Sequence, residues 1–229
     1  MQGGGSGSGI NWSEIGYEEE PSVIKDGYDY AVEIKNNWVP ATNLANKFNS
    51  DYNLIFMPLV DTSIATNTQN MFGSCISLIQ IPQLNTNNVN NMSNMFYGCR
   101  SLTTIPQLDT TNLIVMSNMF YNCYSLITIP QLNTSIVTNM QSIFSGCNSL
   151  VSIPQLNTNK LTNMQNMFTN CNSLSDESLN NILAMCINAT SYKGTKTLKY
   201  IGINSKQATT CQTLSNYQAF LDAGWTTGY

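Results

Sequence analysis

Hydrophobic residues recur along most of the chain with a fixed step of 24 residues, and polar residues fill most positions between them. Phenylalanine, leucine, proline and cysteine each form such a row. The rows are Phe48, Phe72, Phe96, Phe120, Phe144 and Phe168; Leu54, Leu78, Leu102, Leu126, Leu150 and Leu174; Pro58, Pro82, Pro106, Pro130 and Pro154; and Cys75, Cys99, Cys123, Cys147 and Cys171. Because four residue types keep one step, most of the chain consists of repeats.

The repeat unit reads C-x-S-L-x-x-I-P-Q-L-N/D-T-x-x-V/L-x-x-M-x-N-M-F, as in residues 99–120, and six copies run between residues 41 and 174. The first copy is degenerate and has Asp51 in place of the cysteine. A period of roughly 20 to 29 residues with leucine-like positions is typical of leucine-rich repeats, whose units bury their apolar faces only by stacking. The pattern therefore predicts an α/β solenoid, a leucine-rich repeat of six coils.

Each coil is predicted to contain one short parallel strand and one short helical segment. Residues 103–105 and their equivalents are mostly apolar, polar and apolar, which places the outer two inward and the middle one on the outer face of the sheet. The middle row is Gln80, Thr104, Thr128 and Ser152. The proline that follows cannot donate to a ladder and ends each strand. A helical or 3₁₀ segment that packs inward is predicted from the spacing of Leu113, Met116, Met119 and Phe120.

The flanks differ from the repeat in pattern and charge. Residues 1–9 read as a flexible Gly/Ser linker without the basic and apolar regions of a secretory signal, which predicts synthesis in a cytoplasm without the usual export. Residues 10–40 form a predicted N-terminal attachment arm with a helix over residues 22–38.

Residues 175–229 form a predicted αβα cap over the last coil. Its first helix begins at Ser175, its strand covers residues 197–203 and its second helix covers residues 215–223. The apolar face of the first helix is Leu179, Ile182, Leu183 and Cys186.

Composition narrows the classes of function. The chain of 229 residues has nine basic and thirteen acidic residues, no histidine and 32 asparagines. So few cations cannot neutralise a run of phosphates, which excludes nucleic acid as the main partner. Without imidazole there is no serine or cysteine triad and no common catalytic zinc site. No apolar stretch approaches the roughly 18 to 20 residues of a membrane span. We predict no cofactor.

Two ladders of identical residues have competing interpretations. Cysteines of adjacent coils lie within disulfide range, but equivalent side chains point in parallel, and no C-x-x-C pair or histidine completes a metal site. We expect buried free thiols and no metal. The asparagines at one repeat position favour a structural role in turns over ligand binding. That row is Asn70, Asn94, Asn118 and Asn166, extended by Asn46 and interrupted by Ser142.

The segment after each proline is predicted to be a turn. The glutamines Gln83, Gln107, Gln131 and Gln155 are expected on the surface, and the threonines three residues later are expected to close turns. Asp61 and Asp109 share one position two coils apart, roughly 10 Å, which is close to the separation of an inverting glycosidase pair. Because asparagine fills that position in the other coils, a turn-forming Asp/Asn is the simpler account. We predict no enzyme.

Positions that vary between coils are the candidates for ligand contact, because structural positions repeat. The positions after the cysteine and after the phenylalanine differ between coils, and they include an arginine and three tyrosines that could contact a ligand. Tyrosines beside neutral hydrogen-bonding side chains suit stacking on a sugar or anchoring of a protein partner, with ordinary surface variation as the alternative. The candidate binding residues are Arg100, Tyr97, Tyr121, Tyr124, Asn148, Gln80, Thr104, Thr128 and Ser152.

Through its motif C-x-S-L-x-x-I-P-x-L-N/D-T-x-x-V-x-x-M-x-x-M-F, the chain resembles the BspA-like leucine-rich repeat surface proteins of bacteria and some protists. The resemblance covers residues 41–174 and implies binding, because family members are mostly adhesins or surface proteins. The flanks INWSEIGY and AGWTTGY lie outside the repeat and resemble ends of virion proteins of gut tailed bacteriophages.

These patterns predict a non-catalytic binding and display protein on the surface of a phage virion, as a capsid or tail decoration or fibre. Residues 10–40 would attach it to virion proteins or mediate a homo-oligomer, and the solenoid would contact a cell-surface glycan or protein. Two alternatives stay open: a bacterial cell-surface adhesin that binds host glycan or protein, and a carboxylate glycosidase. Only four charges lie between residues 54 and 174, which suits display by a neutral rod: Asp61, Arg100, Asp109 and Lys160.

Overall fold

The computed structural model describes residues 27–229 together with Ser13 and Gly16. The predicted linker and the rest of the attachment arm before residue 27 lie outside the described residues. The described part of the chain contains four α-helices: α1 (Tyr28–Asn36), α2 (Asp176–Asn188), α3 (Ser205–Cys211) and α4 (Tyr217–Asp222). None of these helices is long and apolar enough to span a membrane.

Between α1 and α2 the 24-residue repeats stack on one another as coils, in register. A chain of isolated parallel bridges joins the same position of six successive repeats: Asn43, Asn67, Asn91, Val115, Asn139 and Asn163. Residues 24 positions apart in the sequence are therefore neighbours across the bridges. The period read from the sequence is also the period of the structure.

A row of phenylalanine rings runs through the core of the stack. Neighbouring rings are nearly parallel, with centroids 5.5 to 5.8 Å apart from Phe48 to Phe168. This separation lies in the range of favourable offset stacking. The leucine and cysteine rows are buried beside the rings. Each coil thus covers the apolar side chains of the next one, and no coil holds a core of its own.

The bends of each coil need left-handed backbone, and short polar residues supply it. The asparagine row and Ser142 have φ values between 53° and 60°. Asparagine is the residue other than glycine that most readily adopts this region. In addition, the side-chain amide of Asn70 donates to Asn46 Oδ1 at 2.7 Å. In the described coils, these residues form the left-handed bends of the backbone.

The predicted helical segment over residues 113–120 is a series of turns. Its apolar residues are buried as predicted, but its N–H groups alternate between two kinds of partner. Phe120 donates to Ile143 in the next coil at 2.9 Å, whereas Tyr121 donates three residues back to Asn118 at 3.0 Å. Beyond its first turn, an α-helix needs each N–H bonded to a carbonyl of its own segment. Here every second N–H group donates to a neighbouring coil, so the segment does not form a helix.

The predicted strand over residues 103–105 is reduced to single ladder contacts. Ile127 N donates to Thr103 O at 3.1 Å, and one bridge joins Thr128 to Ser152. The second apolar position is buried, but at the first one Ile127 is 51% and Val151 is 42% exposed, so the inward placement of that position is wrong. The preceding leucine already fills the core, and the proline ends the segment after too few residues to establish a pleat.

The C-terminal segment covers the last coil. Helix α2 begins after Ser175, whose side chain accepts from Ser178 N, and its predicted apolar face is buried. The carbonyls of Tyr200 and Ile201 accept from the final coil, where a further coil would otherwise lie. The predicted strand over residues 197–203 forms turns and one bridge from Thr197 to Thr226.

The predicted helix over residues 215–223 is shorter, because α4 begins after Asn216. Helix α3 has no counterpart in the sequence prediction, although its capping box of Asn204 and Gln207 is regular. The cap therefore contains three helices and a bridge in place of the predicted αβα arrangement.

The opposite end of the stack contacts α1 and the segment after it. The helix covers Tyr28–Asn36, within the predicted range of residues 22–38. Trp38 stacks on Phe48 with ring centroids 6.2 Å apart and extends the phenylalanine row by one ring. Tyr30 donates to Asp51 Oδ2 at 2.6 Å. The aspartate that replaces the cysteine of the first repeat thus has a partner in α1.

Candidate binding surfaces

The cysteine row is part of the core. All five thiols are free and buried, and each Sγ donates to the carbonyl of a phenylalanine in the preceding coil at 3.0 Å. Burial raises the pKa of each thiol, so the neutral form persists. No cluster of three or more potential metal ligands occurs among residues 27–229.

The two aspartates of the coils have the geometry of turn residues. Asp61 Oδ1 accepts from Ser63 N and Asp109 Oδ1 accepts from Thr111 N, both at 2.9 Å. The asparagines at this position in other coils accept the same bond. Hydrogen bonds from the Ser63 hydroxyl and backbone, and from Thr111, lower the pKa of both carboxyls. A general acid must hold a proton near neutral pH, so neither residue suits the acid of a glycosidase.

Four of the candidate binding residues form two contacting pairs, and each pair joins the same two adjacent coils. The rings of Tyr97 and Tyr121 stack with centroids 5.1 Å apart and an interplanar angle of 5°. The guanidinium carbon of Arg100 lies 5.6 Å from the centroid of Tyr124. Tyr97 and Tyr124 are each 38% exposed. We call these four residues the Tyr–Arg surface.

The backbone places both tyrosines of the stacked pair in the same bend, one coil apart. Tyr97 lies between Asn94, with φ of 56°, and Gly98, with φ of 69°. Tyr97 N donates to Asn94 O, and Tyr121 makes the equivalent bond in the next coil. Each tyrosine directly follows a buried phenylalanine, so its backbone is fixed by the core while its ring stays at the surface.

The remaining candidates occupy other rows. Asn148 is exposed one coil beyond Tyr124, at the same repeat position. Thr104, Thr128 and Ser152 are exposed on the bridge-forming segment, and Gln80 is half-buried with its backbone bridged to Phe56. The structure therefore brings the aromatic and cationic candidates together and leaves the small polar candidates as a separate exposed row.

A groove that the sequence did not predict crosses four coils on the segment after the prolines. Its volume is about 750 Å³. We call it the glutamine groove and define it by Gln83, Gln107, Gln131, Gln155 and Asp109, which line it. The glutamines are exposed, as expected from the sequence. The sequence signal was present in the repeated Pro-Gln-Leu-Asn/Asp-Thr segment, but the depression depends on how the coils stack.

Backbone carbonyls hold the side chains of three of these glutamines, Gln83, Gln107 and Gln131. Gln107 Nε2 donates to Gln131 O at 2.6 Å and to Leu108 O at 3.1 Å. Gln131 Nε2 makes the same pair of bonds, to Gln155 O at 3.1 Å and to Leu132 O at 3.3 Å. Because the amide nitrogens of these three side chains donate to the main chain, the amide oxygens are left as acceptors.

Comparisons with curated proteins and with solved structures give no match to this chain. One family model, described as "Mycoplasma protein of unknown function, DUF285", matches residues 42–150 and again residues 100–195. The two matches overlap, as a repeat allows, and together they reach from the first coil to the residues just beyond α2. The chain belongs to the family described as Mycoplasma protein of unknown function, DUF285.

Proposed function

We propose that the protein is a non-catalytic binding and display module, built as a leucine-rich repeat solenoid and carried on the surface of a phage virion. The observation that supports binding is the Tyr–Arg surface: exposed aromatic rings and a cation grouped on two coils of an otherwise repetitive stack. Tyrosine and arginine are enriched among residues that dominate binding energy.

The Tyr–Arg surface is pre-organised for contact. Tyr97 and Tyr121 support each other face to face, and Arg100 is held over Tyr124. Ordering a free side chain at an interface costs about 0.5 to 1.5 kcal/mol, and rings that are already packed avoid part of that cost. A tyrosine ring also offers an apolar face and a polar hydroxyl, which suits either a sugar ring or a protein partner.

The repeat supplies variants that test this surface without disturbing the fold. Ser145 occupies the position of Tyr97 and Tyr121 in a later coil. The double variant Tyr97→Ser/Tyr121→Ser therefore places a residue that the fold already accepts at both sites. Ile114→Thr is the matched control, because Ile114 is exposed on another row and Thr138 takes its place one coil later.

Binding is measured on immobilised bacterial envelopes. We expect the wild type and Ile114→Thr to bind the same targets. Loss of a dominant aromatic contact costs at least about 2 kcal/mol, so the double variant should bind about 30-fold more weakly or worse. Equal binding by the double variant would remove the Tyr–Arg surface from the proposal.

The virion setting is tested by fractionation. The charges concentrate outside residues 54–174, which suits attachment through residues 10–40 and display of the coils. In a density gradient of a culture that carries the gene, the chain should co-migrate with virions, and a chain lacking residues 10–40 should not. Incorporation of the shortened chain would contradict attachment through the arm.

A bacterial cell-surface adhesin is the second candidate. The description of the matched family names Mycoplasma, which is a genus of bacteria, and this favours attachment to a cell. The same gradient separates the two: an adhesin migrates with cell envelopes in the absence of virions. Both candidates use the same coils for binding. The gradient therefore decides whether a virion or a cell carries the protein, and the binding test applies in either case.

A further inference from the structure

The glutamine groove is separate in sequence from the Tyr–Arg surface and presents a different chemistry. Its volume of about 750 Å³ lies in the range of small-molecule sites, roughly 300 to 1,000 Å³. Its glutamines come from four successive coils, so at roughly 4.8 Å per coil they span on the order of 14 Å along the stack. The groove therefore suits a ligand that is longer than it is wide.

The groove offers hydrogen-bond acceptors that are already in position. The amide nitrogens of Gln107 and Gln131 are bonded to main-chain carbonyls, which fixes the amide planes. The amide oxygens repeat at the separation of the coils. A ligand with regularly spaced donors can bond to several of them without ordering each glutamine first.

Charge restricts the ligand further. Asp109 is the one charged residue among the described residues that line the groove. The backbone N–H of Thr111 lowers the pKa of this carboxyl, so it stays ionised at neutral pH. A carboxylate without a neighbouring cation repels anionic ligands such as uronates or sulfated sugars. Neutral hydroxyl and amide donors are favoured.

The repeat distance distinguishes a sugar chain from a peptide. An extended peptide returns a side chain to the same face about every 6.6 to 6.8 Å, whereas neighbouring coils lie roughly 4.8 Å apart. A peptide therefore loses register with the glutamines after one or two coils. A linear β-1,4-linked chain of pyranose rings advances by one ring in a distance close to one coil. Alternate rings are turned over, but each ring carries hydroxyl groups on both edges, so one hydroxyl group can meet each successive glutamine.

We propose that the glutamine groove binds a linear glycan without negative charge, laid along the stack with its hydroxyl groups donating to the amide oxygens of Gln83, Gln107 and Gln131. The inference rests on the proposed binding function and names the ligand class of a second surface. Asp109 adds one stronger acceptor at the centre of the groove and disfavours acidic glycans.

The test titrates the full chain with linear oligosaccharides of equal length, followed by calorimetry and by NMR shifts of the glutamine side-chain amides. The probes are a β-1,4-glucan, a chitin-type oligomer and an oligouronate. The two neutral probes should bind more tightly than the oligouronate. Gln107→Leu/Gln131→Leu removes two acceptors and should weaken binding about 30-fold, at roughly tenfold or less per neutral hydrogen bond.

Asp109→Asn keeps the fold measurable, because asparagine fills this position in neighbouring coils and makes the same turn. This variant should retain the neutral glycans and lose the discrimination against oligouronate. Failure of both neutral probes to bind, or unchanged binding by the leucine variant, would overturn the inference.

The Tyr97→Ser/Tyr121→Ser variant separates this inference from the proposed function. It should bind the oligosaccharides like the wild type while it loses envelope binding. Envelope binding that depends on the tyrosines, together with no oligosaccharide binding, removes the groove inference alone. If envelope binding is the same in the wild type and in this variant, and the oligosaccharides bind to the groove, only the role of the Tyr–Arg surface is removed.

Discussion

Raising the pH should destabilise this protein through its cysteines. The five thiols of the cysteine row are buried, and burial raises the pKa of Cys75 and of Cys171 to about 12 and those of the three between them well above the ordinary value of 9.0. Thiols of the unfolded chain ionise near pH 9. A raised folded pKa gives stability that is present below pH 9 and is lost as the pH rises toward the folded pKa.

The stability lost at pH 9.5 depends only on the thiol pKa in the unfolded chain, because the thiols of the folded protein stay protonated at that pH. With an unfolded pKa of 9.0, each thiol that stays protonated in the fold removes about 0.8 kcal/mol of stability at pH 9.5. Five such thiols remove about 4 kcal/mol. A typical domain has about 5 to 15 kcal/mol of stability in total, so the effect is a large part of the whole. Cys186 and Cys211 are also buried with raised pKa values and add to the loss.

The assay is urea unfolding with a reductant present, at pH 7.5 and at pH 9.5, for the wild type and for Cys99→Ala/Cys147→Ala. The double variant lacks two of the titrating thiols, so its loss between the two pH values should be smaller by about 1.7 kcal/mol. Ile143→Val is the control: it lowers stability by about 0.5 to 1.5 kcal/mol at both pH values equally. Equal losses in the wild type and in the cysteine variant would refute the reasoning.

The packing and backbone of the coils give three more expectations, each measured as the free energy of urea unfolding at pH 7.5. Phe120→Ala removes a fully buried ring from the phenylalanine row and should cost about 3 to 5 kcal/mol; a loss below about 1 kcal/mol would contradict the stacked core. Asn118 has a φ of 54°, so Asn118→Val should cost about 1 to 2 kcal/mol and Asn118→Gly less, and the reverse order would contradict the left-handed bend. Ser175→Ala removes the N-cap of α2 and should cost about 1 kcal/mol, whereas no change would mean that the cap adds nothing.

The period of the chain predicted more than its local patterns did. Phenylalanine and cysteine at every 24th position fixed which residues stack and which are buried, because equivalent residues of successive coils must meet. The patterns within one unit gave less. The spacing of Leu113, Met116 and Met119 correctly indicated an inward face, but hydrophobic spacing reports only which side is buried. It does not report that alternate N–H groups bond to the next coil.

The first apolar position of the predicted strand shows the same limit. Three residues are too few to establish alternation, and the leucine before Ile127 fills the core in its place, which leaves the isoleucine side chain at the surface. Helix α3 was missed although Asn204 and Gln207 form a regular capping box, because the segment has only seven residues and little apolar periodicity.

The two candidate surfaces differ in how far the sequence could identify them. The Tyr–Arg surface was predictable because its residues depart from the repeat, and the stack brings Tyr97 against Tyr121. The glutamine groove was not, because its residues repeat like structural ones. Its amide oxygens are held in position only because the amide nitrogens donate to the main chain, as Gln107 does to the following coil.

The most direct test of the proposed function is the comparison of the wild type with Tyr97→Ser/Tyr121→Ser on immobilised bacterial envelopes, with Ile114→Thr as the control. The account predicts that the wild type and the control bind at least one envelope equally, and that the double variant binds it about 30-fold more weakly or worse. Equal binding by all three proteins, or binding by none to any envelope, would contradict the claim that this stack is a binding module that acts through Tyr97 and Tyr121.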